Sequence, residues 1–177
     1  MITEKDTVKC ESIFSDDKEH RLYFKKVWNK DLPLCTVITI SPALADNIVL
    51  DTTVSLIQSN VARQERWGGF ICVNLFTKIS AKLQMRWSSD MQLNSYENDH
   101  FILKAAQESD TIILAYGRGA ELNVRISNRA KQVIDLLEEH KEKFRVISDG
   151  EKKGIHPLTP SCRNHWILEP YTPDNDA

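Results

Sequence analysis

The stretch from Cys35 to Asp51, CTVITISPALADNIVLD, most constrains what this chain can fold into. Thr36-Val37-Ile38-Thr39-Ile40 is an apolar, β-branched run bounded by Pro33 and Pro42. A strand that short, hydrophobic at nearly every position, belongs at the centre of a sheet covered on both faces. It ends at Ser41-Pro42-Ala43, where proline fixes φ and turns the chain off the sheet. Asp51-Thr52-Thr53 then reads as a helix start with Asp51 as its cap. Open α/β folds place their ligand sites at such strand-to-helix turns.

The rest of the chain extends this pattern. Residues 1–19 are polar and charged and read as a peripheral segment. His20 to Asn29 alternates weakly and predicts an edge strand, with Lys25-Lys26 discouraging further pairing. Helical spacing of Val54, Ile57 and Val61 predicts a helix over 52–65. Gly68-Gly69 breaks it before a buried strand, Phe70–Val73, that exits through Asn74-Leu75-Phe76. Residues 77–97 read as a long irregular segment. A helix from Asn98-Asp99 to Glu108 leads to the strand Thr111–Ala115 and its exit turn Tyr116-Gly117-Arg118-Gly119. A longer helix is predicted over 121–142, then a strand Phe144–Ile147, then Gly154-Ile155-His156-Pro157-Leu158. The acidic, proline-containing tail after Trp166 reads as disordered. The fold class expected is therefore α/β: a three-layer sandwich with a mainly parallel central sheet of about four strands and helices on both faces. At 177 residues one domain is expected, over 20–168, between the segment 1–19 and a flexible tail, 169–177.

Charge and cysteine content narrow the function. A net charge of −2 argues against a protein that grips nucleic acid through bulk electrostatics, while leaving room for a local basic groove. The four cysteines show neither CxxC nor Cys-His spacing, so no metal and no cofactor are expected. MITEKDTVKCES has no apolar core of a signal peptide, and no run reaches the ~20 apolar residues of a membrane span. The expectation is a reduced, cytoplasmic protein without membrane partners.

Right-handed crossovers would collect the strand exits on one rim: Ser41, Pro42 and Ala43; Asn74 and Phe76; Tyr116, Gly117 and Arg118; and His156 with Pro157. Asn74 follows four apolar residues, and its amide offers the donor and acceptor that a nucleobase edge requires, or else bonds a neighbouring loop. Phe76 suits stacking on a flat ring or a place in the core. His156, in a loop, suits donation to an oxyanion or phosphate, or plain surface exposure. Asp46 is available to a water, a loop backbone or a sugar hydroxyl. Arg118, with Lys152-Lys153, suits an anionic ligand or a solvated face, and Gly117-Arg118-Gly119 lacks the spacing of a phosphate-binding glycine loop.

In order and spacing these motifs resemble an uncharacterised bacterial and phage family, the domain of unknown function 1643. The carriers are Ser41-Pro42-Ala43-Leu44-Ala45-Asp46, Asp51-Thr52-Thr53, Val73-Asn74-Leu75-Phe76, Asn98-Asp99, Tyr116-Gly117 and Gly154-Ile155-His156-Pro157-Leu158, within roughly residues 20–160. More remotely, the order is similar to the uracil-DNA glycosylase superfamily, which implies a glycosylase-like sandwich that flips a base out of nucleic acid. The resemblance implies catalytic roles for His156, Ser41 and Asp46. It implies substrate contacts at Pro42, Ala43, Asn74, Phe76, Tyr116, Gly117, Arg118, Pro157 and Leu158. Asn74 would read the base, Phe76 stack on it, and His156 stabilise it as it leaves. Three residues depart from the pattern: Ser41 stands for Asn or Asp, Ala43 for Ser, and Tyr116 for Trp. A serine hydroxyl orients water less well than a carboxylate or an amide. The function expected is recognition of a nucleobase or nucleotide, with glycosylase-like action on a base in nucleic acid. The alternative is a non-catalytic module that binds nucleic acid, a nucleotide or a protein partner, and a third reading is a small-molecule hydrolase or transferase using the same rim.

Overall fold

The β-branched run after Pro33 forms the strand at the heart of the sheet. The structure, a computed structural model, describes residues 1–43, 47–79, 89–118 and 123–173, and of residues 90 and 91 the backbone alone. Asp46, Gly119 and residues 80–88 of the irregular segment lie outside the described residues. In chain order the strands are β1 (Lys9–Phe14), β2 (Arg21–Val27), β3 (Leu34–Thr39), β4 (Gly69–Asn74), β5 (Thr111–Leu114), β6 (Phe144–Ser148) and β7 (Ile167–Pro170). The helices are α1 (Thr52–Arg63), α2 (Asp90–Leu93), α3 (Asn98–Glu108) and α4 (Val124–Leu136). The strands form one sheet in the order β1-β2-β4-β3-β5-β6-β7.

This sheet overturns the expected mainly parallel one of about four strands. Among the described residues it has seven strands and is mixed: β4-β3, β3-β5 and β5-β6 are parallel, whereas β1-β2, β2-β4 and β6-β7 are antiparallel. The additional strands lie where hydrophobic patterning is weakest. β1 crosses the polar N-terminal segment and is exposed over Lys9–Glu11. It covers β2, so the strand expected at the edge is an inner one. The tail expected to be disordered instead pairs Ile167–Pro170 with β6, its side chains only partly covered. The long helix expected over 121–142 stops at Leu136; a 3₁₀ segment, Glu138–Lys143, follows with no buried residue.

β3 is buried from Cys35 to Thr39, and both of its faces are covered. Cys35 and Val37 pack with Val54, Ile57 and Val61 of α1 and with Ile155 and Trp166. Ile38 packs on the opposite face with Ile102 and Ala105 of α3 and Ile126, Ala130 and Val133 of α4. Thr36 is tolerated in this apolar setting because its hydroxyl donates to the Ala105 carbonyl at 2.9 Å. Asp51 caps α1 by accepting the Val54 N–H at 3.0 Å, as its place in the sequence predicts. The segment after β6 lies beside α1, held by Asn60 Nδ2 on the Arg163 carbonyl (2.8 Å) and Gln64 Nε2 on that of Trp166 (3.1 Å).

The helices leave neighbouring strands towards opposite faces. α1, after β3, lies on one side of the sheet; α4, after β5, lies on the other. The carboxyl ends of β3 and β5 therefore border a crevice between two helix beginnings. That point is where the strand order reverses direction, and it is the standard place for a ligand in an open α/β sheet.

Candidate functional site

A cleft of about 350 Å³ occupies this crevice. Its floor and near wall are Thr39, Ile40 and Ser41 at the end of β3, with Ala43 beyond them and Cys72 of β4 alongside. Asp51, Thr53, Val54 and Ile57 bring the first two turns of α1 to one side, and Ile126 brings the first turn of α4. Arg21 enters from the start of β2, and His156 and Leu158 close the cleft from the late loop. Apolar walls with a few convergent polar groups are the usual make-up of a small-ligand site.

The polar groups differ in charge and environment. Asp51 lines the cleft while one carboxylate oxygen caps α1. His156 accepts the Leu158 N–H on Nδ1 at 3.1 Å, which puts the proton of the neutral ring on Nε2. Burial holds the His156 pKa below its ordinary value, with Asp51 pulling the other way, so the neutral ring prevails near pH 7. Arg21 is only 3% exposed, and its guanidinium lies 5.1 Å from the centre of the Phe24 ring. Burial pushes the Cys72 thiol up, and the charge of Arg21 opposes that shift. Cys72 is therefore a neutral thiol of the cleft wall.

Asn74 stands one step back from this wall. It pairs in register with Thr39 and lies two residues beyond Cys72, on the same face of β4. Its Nδ2 donates to the Thr39 hydroxyl at 2.5 Å, and its Oδ1 has no hydrogen-bond partner among the described residues although the residue is 1% exposed. The Asn74 carbonyl accepts from Asn98 Nδ2 at 3.0 Å, and the next carbonyl, of Leu75, accepts from Asn98 Nδ2 at 3.2 Å and Arg129 Nε at 3.0 Å. Arg129 is also paired with Asp99. Asn98 and Asp99 do begin α3, but Asn98 turns its amide inward rather than capping, and the cap position is Glu97.

Of the residues singled out from sequence, Ser41, Ala43, His156 and Leu158 line the cleft. Gly117 supports it from behind: its φ is +62°, and a Cβ there would come within 2.7 Å of His156 Cβ. Pro42 and Pro157 are buried at the two loop bends without lining it. Phe76, considered for stacking, is buried in the core on the α3/α4 side together with its neighbour Leu75, because the alternation of β4 ends with the strand at Asn74. Tyr116 packs half-buried against that same core, where burial raises its phenol pKa. Arg118 is exposed and does not line the cleft. Arg21, Thr39, Thr53 and Cys72 were not anticipated. Arg21 had one visible sign, a cation opening the apolar run Leu22-Tyr23-Phe24. Among the described residues, no three of His, Cys, Asp and Glu are grouped to hold a metal ion. Nor is any helix there long and apolar enough to cross a membrane.

Residues 21–158 match the family described as Protein of unknown function (DUF1643). The chain belongs to that family. No curated protein and no solved structure matches it. The two ends of the DUF1643 match, Arg21 and Leu158, both line the cleft. The motifs that carried the resemblance divide between two tasks. Those at Ser41–Ala43, Asp51–Thr53 and Gly154–Leu158 border the cleft, while Asn98-Asp99 secures the exit of β4.

Proposed function

We propose that this DUF1643 protein recognises a nucleobase or nucleotide in the cleft at the β3/β5 crevice and hydrolyses its N-glycosidic bond. The observation that carries the reading is the Asn74 Oδ1, a buried acceptor on the cleft-lining face of β4 that has no partner among the described residues. An unsatisfied buried acceptor costs free energy until a donor meets it, and the N–H of a heterocycle edge is such a donor. His156 Nε2–H supplies a second directional contact, and Ile40, Val54, Ile57 and Ile126 supply apolar surface for a ring. Remote similarity of motif order to the uracil-DNA glycosylase superfamily supports the same chemistry.

In that reaction the bond between the sugar C1′ and the base nitrogen breaks, the base leaving with the bonding electrons. His156 Nε2–H stabilises the departing base. Water adds at C1′, and its proton passes to the Asp51 carboxylate, the group in the cleft suited to orienting water where Ser41 is not. Phe76 and Tyr116 have no part in it, since both pack against the core on the α3/α4 face of the sheet.

A second reading, a module that binds without catalysis, is favoured by the state of Asp51. One of its oxygens is already committed to Val54 N–H. Incubation with free nucleosides, nucleotides and oligonucleotides carrying normal and modified bases separates the two. Asp51→Ser keeps a capping oxygen and removes the carboxylate. Release of free base by the wild type and not by Asp51→Ser supports hydrolysis. Binding that Asn74→Ala abolishes, with no free base formed, makes the protein a reader. Absence of both binding and release overturns the proposal.

A further inference from the structure

We infer that Thr39 is a positioning residue that holds the Asn74 amide with Oδ1 as its ligand-reading end, so that the site takes a base edge carrying an N–H donor and rejects one without it. This rests on the nucleobase-site reading above and names the class of base edge it selects.

An asparagine amide has an acceptor at one end and donors at the other, and a half-turn about its last bond exchanges them. Left to itself, such a group reads a donor and an acceptor alike. Here a short chain of hydrogen bonds removes that choice. The Thr39 hydroxyl bonds the Cys72 sulfur in the sense that favours the thiolate, so the hydroxyl is the donor in that contact. A hydroxyl has one proton to give. With that proton directed at sulfur, Thr39 Oγ1 accepts from Asn74, and Nδ2 stands 2.5 Å away as the donor. The opposite orientation would set Oδ1 against an oxygen with no proton to offer. Register holds the three groups together: Thr39 pairs with Asn74 across β3 and β4, and Cys72 lies two residues earlier on the same face. Thr39 is 5% exposed, Cys72 2% and Asn74 1%, so water competes little for these bonds.

Oδ1 is the end of the amide left over, and it has no partner among the described residues. Thr39 and Cys72 both line the cleft, which puts the amide they hold at its margin. With Nδ2 turned towards Thr39, a ligand meets the acceptor end. The ring N–H of an oxo base and the exocyclic amino group of an amino base both satisfy that acceptor. A ring edge with neither leaves Oδ1 buried and unpaired, and a site built around such a group rejects the mismatch far more strongly than it rejects a lost apolar contact.

The test is calorimetric titration of the whole chain with two series that differ at this edge: cytidine, uridine and 2-pyrimidinone ribonucleoside, and adenosine, inosine and purine ribonucleoside. Each is offered free and at one position of an otherwise constant oligonucleotide. The last member of each series has no N–H at the edge. In the series that binds, the donor-bearing members are expected to bind the wild type at least about tenfold more tightly than the last. Thr39→Val keeps the shape of the side chain and removes the hydroxyl, so the amide is released to turn and the ratio falls towards one. Thr39→Ser keeps the hydroxyl and restores the ratio, which a role in packing alone would not do. Cys72→Ala removes the sulfur that takes the Thr39 proton and is expected to lower the ratio with Thr39 intact; it decides the matter if Thr39→Val does not fold. Binding with a wild-type ratio near one overturns edge selection and leaves base recognition standing. A tenfold ratio that persists in Thr39→Val and in Cys72→Ala overturns the role of Thr39 and leaves Asn74 as the reader. Absence of binding in both series overturns the base reading and this inference with it.

Discussion

The exit of β4 and the exit of β3 stand side by side on one rim, and they are finished in opposite ways. At the β4 exit the two carbonyls of Asn74 and Leu75 are held by Asn98 Nδ2 and Arg129 Nε, with Arg129 anchored on Asp99. Phe76 then returns to the core. At the β3 exit, Ser41 and Ala43 border open space, and the loop beyond leads to Asp51 at the head of α1. A side chain that closes on backbone carbonyls fixes the fold, whereas one that faces a cavity is left for a ligand. Sequence motifs at equivalent positions therefore carry different functions, and only the hydrogen-bond partners tell them apart.

The most damaging way to break this comparison is Arg129→Ala. It removes a nearly buried guanidinium that serves the Leu75 carbonyl and pairs with Asp99. Asp99 is half exposed, so the pair itself contributes modestly, and most of the loss comes from the buried carbonyl and the Arg packing. The expected destabilisation is about 3 kcal/mol, read as a lower denaturant midpoint at unchanged slope. The double variant with Asn98→Ala should lose more than the two single losses together, because Leu75 then has no side-chain donor. A single-variant loss below about 0.5 kcal/mol would mean that the β4 exit is not a structural clamp.

The parts of this molecule legible from sequence are those with a strong local code. Asp51 before Thr52 gave the cap, and the runs at Cys35–Thr39, Phe70–Val73 and Thr111–Leu114 gave three inner strands. β1 and β7 escaped because an outer strand need not alternate: Lys9, Cys10 and Glu11 are all exposed, and Ile167 remains largely so. Without them the width of the sheet could not be foreseen, and the antiparallel β2-β4 pairing makes it mixed even inside them. In the candidate site, Ser41 was legible as a polar group after an apolar strand and His156 as a histidine in a loop between Gly154 and Pro157. Phe76 was not, since an aromatic at a strand end has the same local pattern whether it faces a ring or the core. Arg21 was hidden by distance: it joins the cleft through the β2-β4 pairing, which brings together residues about fifty positions apart.

A smaller effect, aimed at the open side of the comparison, is expected from Gly117→Ala. The backbone there has φ +62°, which a side chain makes strained, and the added Cβ would lie 2.7 Å from His156 Cβ and 3.0 Å from His156 N. Backbone at the His156 loop cannot be displaced as a flexible side chain can, so that loop must move. A stability loss of about 1–2 kcal/mol is expected, with a larger proportional loss of ligand affinity as His156 leaves its place. Melting curves measure the first and titration with a nucleotide the second. Full affinity in a destabilised Gly117→Ala would show that the His156 loop is scaffold, like the Asn98 and Arg129 clamp, and not part of a binding site.

The smallest expected effect, and the finest distinction, is the pH dependence of His156. Its native pKa is held down by burial, with Asp51 only partly restoring it, and Nδ1 must stay unprotonated to accept from Leu158. Between the depressed native value and the ordinary value of 6.5, the unfolded chain binds the proton more readily than the folded one. Stability is thus fully present above that ordinary value and falls as acid carries the pH down through the native pKa. Protonation also removes the Nδ1 acceptor, so the late loop loses its internal bond as the ring becomes charged. Asn at this position keeps an acceptor for the Leu158 N–H and cannot titrate. His20 also has a lowered pKa, so the wild-type profile contains both histidines, and the difference from His156→Asn isolates the one in the cleft. The wild type should lose more Tm than His156→Asn between about pH 7 and about pH 5, with nucleotide affinity falling in parallel. Two superimposable profiles would place His156 in solvent in both states, and the late loop would then no longer belong to the open side of the rim.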